Sequence, residues 1–287
     1  MEYKRKAVVA GSFYAANRQS LEAQIKNCFL HEIGPGVLPA SVQEKERKIM
    51  GIIVPHAGFM YSGPVAAHSY LKLSFEKTPR TIIILGPNHR GLGGEVSLMS
   101  SGQWQTPLGT IEIDQSIANE IIAHDEKRIL RDDFQAHLFE HSIEVQLPFL
   151  QFIYPNSEFK IIPISIINQQ LVSMKYLAEI IYETIKDKYQ DFLLIASSDF
   201  THYEEQESTK RKDSEGIKEI LKMDTDLFYM TIQNNNASIC GPGPISVVME
   251  ACRKLGVNQG QLLKYATSGD VSGIYDQVVG YASIIFQ

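Results

Sequence analysis

Along the chain, short and nearly uninterrupted apolar runs alternate with longer stretches in which apolar residues return every three or four positions. The runs are Ile49–Val54, Thr81–Leu85, Phe159–Ile166, Phe192–Ala196 and Val278–Phe286. Each is strand-length, rich in β-branched residues and almost free of charge, the pattern of strands buried on both faces. Between two of them, Leu177, Ile180, Ile181, Thr184 and Ile185 form an apolar stripe that predicts a helix over Gln170–Lys188. Similar periodicity predicts helices at Ser20–Phe29, Gln115–His124, Glu140–Ile153, Ser208–Met223 and Pro244–Leu255. Strands alternating with helices imply an α/β fold, one sheet with helices on both faces. The rhythm breaks after Gly91, where Glu95–Met99 and Thr110–Ile113 follow each other with no helix between. With Pro107 and Gly109 in the connection, they predict a local antiparallel pair, and so a mixed, mostly parallel sheet.

Composition narrows the class. The 287 residues contain no repeat, low-complexity tract or long linker, which predicts one domain over residues 1–287. Hydrophobic residues make up 44% and charged residues 21%, a balance that excludes wholesale disorder. The net charge of −6 is spread along the chain, which argues against nucleic-acid binding. Lys127–Arg131 and Lys210–Lys212 read as solvated surface. Met1–Val9 carries charge without an apolar stretch, so no signal peptide is expected. No run approaches the roughly 18 apolar residues of a membrane span. Cys28, Cys240 and Cys252 are too few and too scattered for a disulfide framework, which points to the reducing cytoplasm.

The chemistry gathers just after the buried strands. Pro55-His56-Ala57-Gly58 follows the first, Gly86-Pro87-Asn88-His89-Arg90-Gly91 the second, and Ser197-Ser198-Asp199-Phe200-Thr201-His202-Tyr203 the fourth. In open α/β sheets the strand ends converge on the crevice where ligands bind. His56 and His89 stand at similar positions after similar strands, and imidazole is the commonest neutral metal ligand. Cys240, in Ser238-Ile239-Cys240-Gly241-Pro242-Gly243-Pro244, precedes a predicted helix whose positive end favours thiolate; the plainer reading is a small buried hydrophobe. Asp199 and His202 read as an acid/base pair, as metal ligands or as their supports, or Asp199 caps the next helix. Glu140 and Glu144 share one predicted helix face beside His141, either a functional cluster or a polar face in solvent. Cys28 and Cys252 read as core; His31, His68, His124 and His137 read as structural or exposed. Walker A, G-x-G-x-x-G after a strand, H-E-x-x-H, paired C-x-x-C and G-x-S-x-G are all absent, and Gly91-Leu92-Gly93-Gly94 lacks the setting for phosphate.

Seven stretches in order then resemble the Memo family: Ala10-Gly11-Ser12-Phe13-Tyr14, Val54–Gly63, Leu85–His89, His141–Leu150, Ser197–Tyr203, Cys240–Gly243 and Ser268–Gly273. The resemblance implies a three-layer α/β/α sandwich similar to class III extradiol non-haem iron dioxygenases. It puts metal-ligand positions at His56, His89 and Cys240, with catalytic roles for His202, as acid/base histidine, and Asp199. It also implies a radical-SAM enzyme as partner in prokaryotic members, and metal binding with redox activity in animal ones. Phe59 stands where a Tyr is usual. Ring-cleaving enzymes hold Fe(II) with two His and a carboxylate, whereas the third position here is Cys240, so catechol cleavage does not carry over. Three readings follow. The first is an oxidoreductase of unknown substrate using Fe(II), with copper second and zinc third. The second is a non-catalytic protein holding a peptide, small molecule or partner protein. The third is a zinc hydrolase with Asp199 or Glu140 as base.

Overall fold

The computed structural model describes residues 3–39, 46–155 and 158–287; Met1 and Glu2 of the charged amino-terminal run lie outside them. In chain order the elements are β1 (Lys4–Arg5), α1 (Arg18–Leu30), β2 (Gly51–Val54), α2 (Phe59–Ser74), β3 (Thr81–Pro87), β4 (Val96–Leu98), β5 (Gln103–Thr106) and β6 (Gly109–Glu112). Next come α3 (Gln115–Ala123), β7 (Leu130–Asp132), α4 (Leu147–Ile153), β8 (Lys160–Ile166), α5 (Leu171–Ile185) and β9 (Phe192–Ser197). The last are β10 (His202–Glu204), α6 (Gln206–Leu221), α7 (Thr225–Asn234), α8 (Pro242–Lys254), β11 (Gly260–Thr267), α9 (Ser268–Ser272) and β12 (Val278–Phe286).

The apolar runs become the middle of the sheet because they carry nothing polar to keep in water. Every residue of β2, β3 and β9 is buried. The strand order is β10-β12-β2-β9-β3-β8-β4-β7, with β11 also on β12. The four central strands, β2, β9, β3 and β8, are mutually parallel. Antiparallel pairing enters at both margins, through β12 on β2 and β4 on β8. Helices α1, α2 and α4 pack together on one face, and α3, α5 and α8 on the other, giving an α/β/α sandwich. Among the described residues, no helix is long and apolar enough to cross a membrane.

The predicted pairing of Glu95–Met99 with Thr110–Ile113 does not occur. Val96–Leu98 is wholly buried and joins the main sheet, antiparallel to β8 and parallel to β7. The Pro107-Leu108 turn instead folds β6 back onto β5, its nearest neighbour in sequence, and β1 adds to β5 in a separate 3-stranded sheet. The predicted Glu140–Ile153 helix is shorter: α4 begins at Leu147, after a single tight turn at Glu144–Gln146.

Cys28 and Cys252 are core, as their helical settings suggested. Cys252 and Val248 of α8 press directly on Gly51 at the start of β2, where an added Cβ would lie 2.8 Å from Cys252 Sγ and 2.7 Å from Val248 Cγ1. Gly51→Ala is therefore expected to lower stability by about 1–3 kcal/mol through overpacking. Denaturant unfolding reads the change, and a loss under about 0.5 kcal/mol would mean that α8 is free to shift.

Candidate metal centre

Adjacent strands β2, β9 and β3 end on the same edge of the sheet, so the segments after them meet. His56 follows β2, Asp199 and His202 follow β9, and His89 follows β3. Cys240 arrives from the opposite half of the chain, immediately before α8, which packs under the same three strands. One ligand atom each from His56, His89 and Cys240 lies within 4.8 Å of the other two. The His56 and His89 rings are 5.2 Å apart and nearly perpendicular, and Cys240 Sγ is 3.3 Å from His56 Nε2.

His89 is held by Glu140. The Glu140 carboxylate accepts from His89 Nδ1 at 2.9 Å and from the His89 main-chain N–H at 2.6 Å. It accepts further from the N–H groups of His141 and Ser142, both at 2.9 Å. A carboxylate on Nδ1 sets the tautomer and leaves the Nε2 lone pair available. Burial alone would raise the pKa of Glu140, but the hydrogen bond and charge of His89, then His141 and the Ser142 N–H, outweigh it and hold it low. Glu140 and Glu144 are both buried, so the solvent-facing alternative for this pair is excluded. They do not share a helix face either, because Glu140 precedes the helix.

Cys240 is clasped by the residues after β9. Its Sγ accepts from Asp199 N–H at 3.1 Å and lies 3.7 Å from Ser198 Oγ. Gly241 is required next to it, since a Cβ there would sit 2.8 Å from Ser198 Cβ and Oγ. The helix end that was expected to favour thiolate supplies no N–H to the sulfur. Pro242 and Pro244 have none, and those of Gly241 and Gly243 go to Ser198 Oγ and Gln169 Oε1. Burial first, and then the Asp199 carboxylate, push the thiol pKa up. A bound metal would have to displace this proton.

Asp199 caps no helix: its Oδ1 accepts from the N–H groups of His56 at 2.8 Å and Ala57 at 3.3 Å, stapling the segments after β9 and β2. Burial raises its pKa against those hydrogen bonds. His202 is half-buried, with Nδ1 2.8 Å from Ser238 O and its main-chain N–H on Ser238 Oγ. That leaves Nε2 unused, within electrostatic reach of His56 and Asp199. Tyr203 adopts φ +57°, and the β10–β12 pairing shifts register between His202 and Glu204.

His141 joins the group, with ring contacts of 5.4 Å to His56 and 4.7 Å to His89, and Phe13 covers its outer side at 4.8 Å. With His89 and Glu140 it forms a second set of three potential ligands. Burial lowers its pKa to about 4. Sequence reading placed it only beside a helix face; its neighbour Glu140 in the Glu-His-Ser run was the available signal. Ser197 and Gln146, which stand behind His56, lie in family-like stretches without being singled out there, and Tyr70 carries no signal. A separate cavity of about 720 Å³ lies at Arg18, Glu22, Lys26, Glu112 and Lys160, with no His or Cys in its lining, so it does not compete as the site of this chemistry.

A family model described as Memo-like protein matches residues 5–285. A MEMO1 family protein of Desulfurococcus amylolyticus is 48% identical over 283 residues, covering 99% of both chains. Others from Sulfolobus acidocaldarius and Methanopyrus kandleri are 46% and 43% identical, covering 97% and 99% of both chains. With a match of that extent on every side of the cluster, the chain belongs to the Memo family.

Proposed function

We propose that His56 Nε2, His89 Nε2 and Cys240 Sγ hold one transition-metal ion, and that the protein is a metal-dependent oxidoreductase acting on a small molecule. The observation that carries this is the donor set itself: three ligand atoms within 4.8 Å of one another, with the Nδ1 atoms of both imidazoles already engaged elsewhere. Two imidazoles and one thiolate form a softer set than two imidazoles and a carboxylate. Softness by itself favours copper and zinc; Fe(II) is placed first on the resemblance to non-haem iron enzymes, with copper second and zinc third. When bound, such an ion supplies one-electron chemistry and open positions for substrate. The chain's own residues orient and exclude: Glu140 fixes His89, Asp199 ties the segments after β9 and β2, and Phe13 closes the outer side of His141. His202, with Nε2 free at the rim, is the group placed to move a proton to or from a substrate.

A hydrolytic zinc site needs a free carboxylate base. Glu140 is fully engaged in holding His89 and the following N–H groups. That leaves only Asp199 Oδ2 for the role, which ranks hydrolysis lower.

The test is metal content after anaerobic purification, for the wild type and for His56→Ala and Cys240→Ala. Near-stoichiometric iron or copper in the wild type, falling at least tenfold in both variants, is the expected result. Protein that arrives metal-free and also refuses added Fe(II), Cu(I) and Zn(II) would sink the proposal and favour a non-catalytic binding role.

A further inference from the structure

Behind His56 runs a chain of uncharged side chains, Ser197, Gln146 and Tyr70, all buried, as is Ser142 beside them. Two main-chain carbonyls decide every proton in it, because a carbonyl only accepts. Gln146 Nε2 lies 2.9 Å from Pro55 O, so the amide must turn its NH₂ to that side. Tyr70 Oη, 2.8 Å from Gln146 Oε1, donates to the other end. The second proton of the NH₂ goes to Ser197 Oγ at 2.8 Å. Ser197 in turn gives its single proton to Ser142 O at 2.6 Å. What remains to Ser197 Oγ is a lone pair, facing His56 Nδ1 at 2.9 Å. The ring proton of His56 therefore sits on Nδ1. Nε2 keeps its lone pair, directed at the space it shares with Cys240 Sγ.

The geometry points to Ser197 as a positioning residue: with its one proton committed to Ser142 O and one lone pair taken by Gln146, it locks His56 in the Nδ1–H tautomer and presents Nε2 as a ready ligand. Without that hydroxyl, His56 Nδ1 loses its acceptor, and the ring proton is free to move to Nε2 and block it. The same short segment treats the other imidazole in a parallel way, since Glu140 fixes His89 and Ser142 belongs to both networks. The Ser142 N–H donates to Glu140 Oε1 at 2.9 Å while its carbonyl accepts from Ser197. Residues 140–146 thus set both tautomers at once. The tautomer itself does not depend on the metal reading; its effect on metal affinity rests on that reading.

The experiment records imidazole ¹⁵N–¹H correlations of the metal-free protein at neutral pH, for wild type, Gln146→Met and Ser197→Ala. Anaerobic Fe(II) titration of each follows. Expected are a proton-bearing Nδ1 and a bare Nε2 for His56 in the wild type and in Gln146→Met, a mixture of tautomers in Ser197→Ala, and Fe(II) binding weakened roughly 10- to 100-fold in Ser197→Ala. Near-ultraviolet circular dichroism checks folding. If Gln146→Met fails to fold, Ser197→Ala, which removes one oxygen, carries the comparison. A proton on Nε2 in the wild type overturns the inference, as does an unchanged tautomer or unchanged Fe(II) affinity in folded Ser197→Ala. A wild type with the expected tautomer that binds no Fe(II) leaves the relay standing and defeats only the metal proposal.

Discussion

Replacing Glu144 with Ala is expected to destabilise the protein by about 3–5 kcal/mol, because it strands a buried guanidinium. Arg5 and Glu144 are a fully buried ion pair. Arg5 lies over the Trp104 ring at 4.2 Å and donates to His137 O at 2.9 Å and Glu140 O at 2.6 Å. Glu144 also accepts from Tyr14 Oη at 2.5 Å and from the N–H groups of Val8 and Val9. Truncating the carboxylate leaves one cation and three donors without their acceptor. The double variant Arg5→Met/Glu144→Leu removes both charges and should recover part of the loss. Full recovery is not expected, since the two N–H groups stay unpaired at about 1–3 kcal/mol each where water is excluded. Urea unfolding at pH 7 measures all three. A single-variant loss below about 1 kcal/mol would show that water reaches Arg5 and that the amino-terminal segment is not anchored by this pair.

The second large effect is on acid stability and comes from His137. Its ring is buried edge-on to Trp104, 5.7 Å between centroids, and burial followed by the nearby Arg5 charge brings its pKa down to about 3. In the unfolded chain the ring regains an ordinary pKa near 6.5. Between those values the unfolded state holds one proton more than the folded state, so stability falls as pH falls through the window. The slope attributable to this one group approaches 1.4 kcal/mol per pH unit in the middle of the window. His137→Leu, which keeps the backbone carbonyl that Arg5 uses, should flatten the curve between pH 6 and 4 relative to wild type. Parallel slopes for the two proteins over that range would mean that His137 titrates normally.

Much of the architecture could be read from the sequence, for a reason visible in β2, β3 and β9. Strands buried on both faces must be apolar throughout, and their short length and β-branched residues set them apart from buried helices. β11 escaped notice because it is half-exposed and carries Gln261 and Lys264 within its run. Helix α2 escaped because Gly58, Gly63 and Pro64 look like a loop. Pro64 is tolerated where it stands because the carbonyl it fails to bond belongs to Met60, an exposed residue in the first turn. α7 presents only Thr225, Phe228 and Ile232 to the core, too few to register as a stripe. At the site, His56, His89 and Cys240 were legible because imidazole and thiol are rare and sat at strand ends or before a helix. Gln146 and Ser197 are common residues whose meaning comes only from tertiary neighbours, 51 residues apart in their own contact. The helix-end argument for a thiolate at Cys240 failed because two prolines remove the very N–H groups on which it depends.

The cluster also joins distant parts of the chain: His56 and Cys240 are 184 positions apart, and Arg5 reaches Glu144 across 139. Contacts of such separation raise the contact order of the fold, and each long loop must close before any contact across it returns free energy. During synthesis from the amino end, both imidazoles emerge well before the sulfur, and a chain paused ahead of residue 240 offers only part of the donor set. On the proposed metal reading, acquisition of an ion by all three residues would consequently be a late event in the life of each molecule, tied to completion of the sheet rather than to its nucleation.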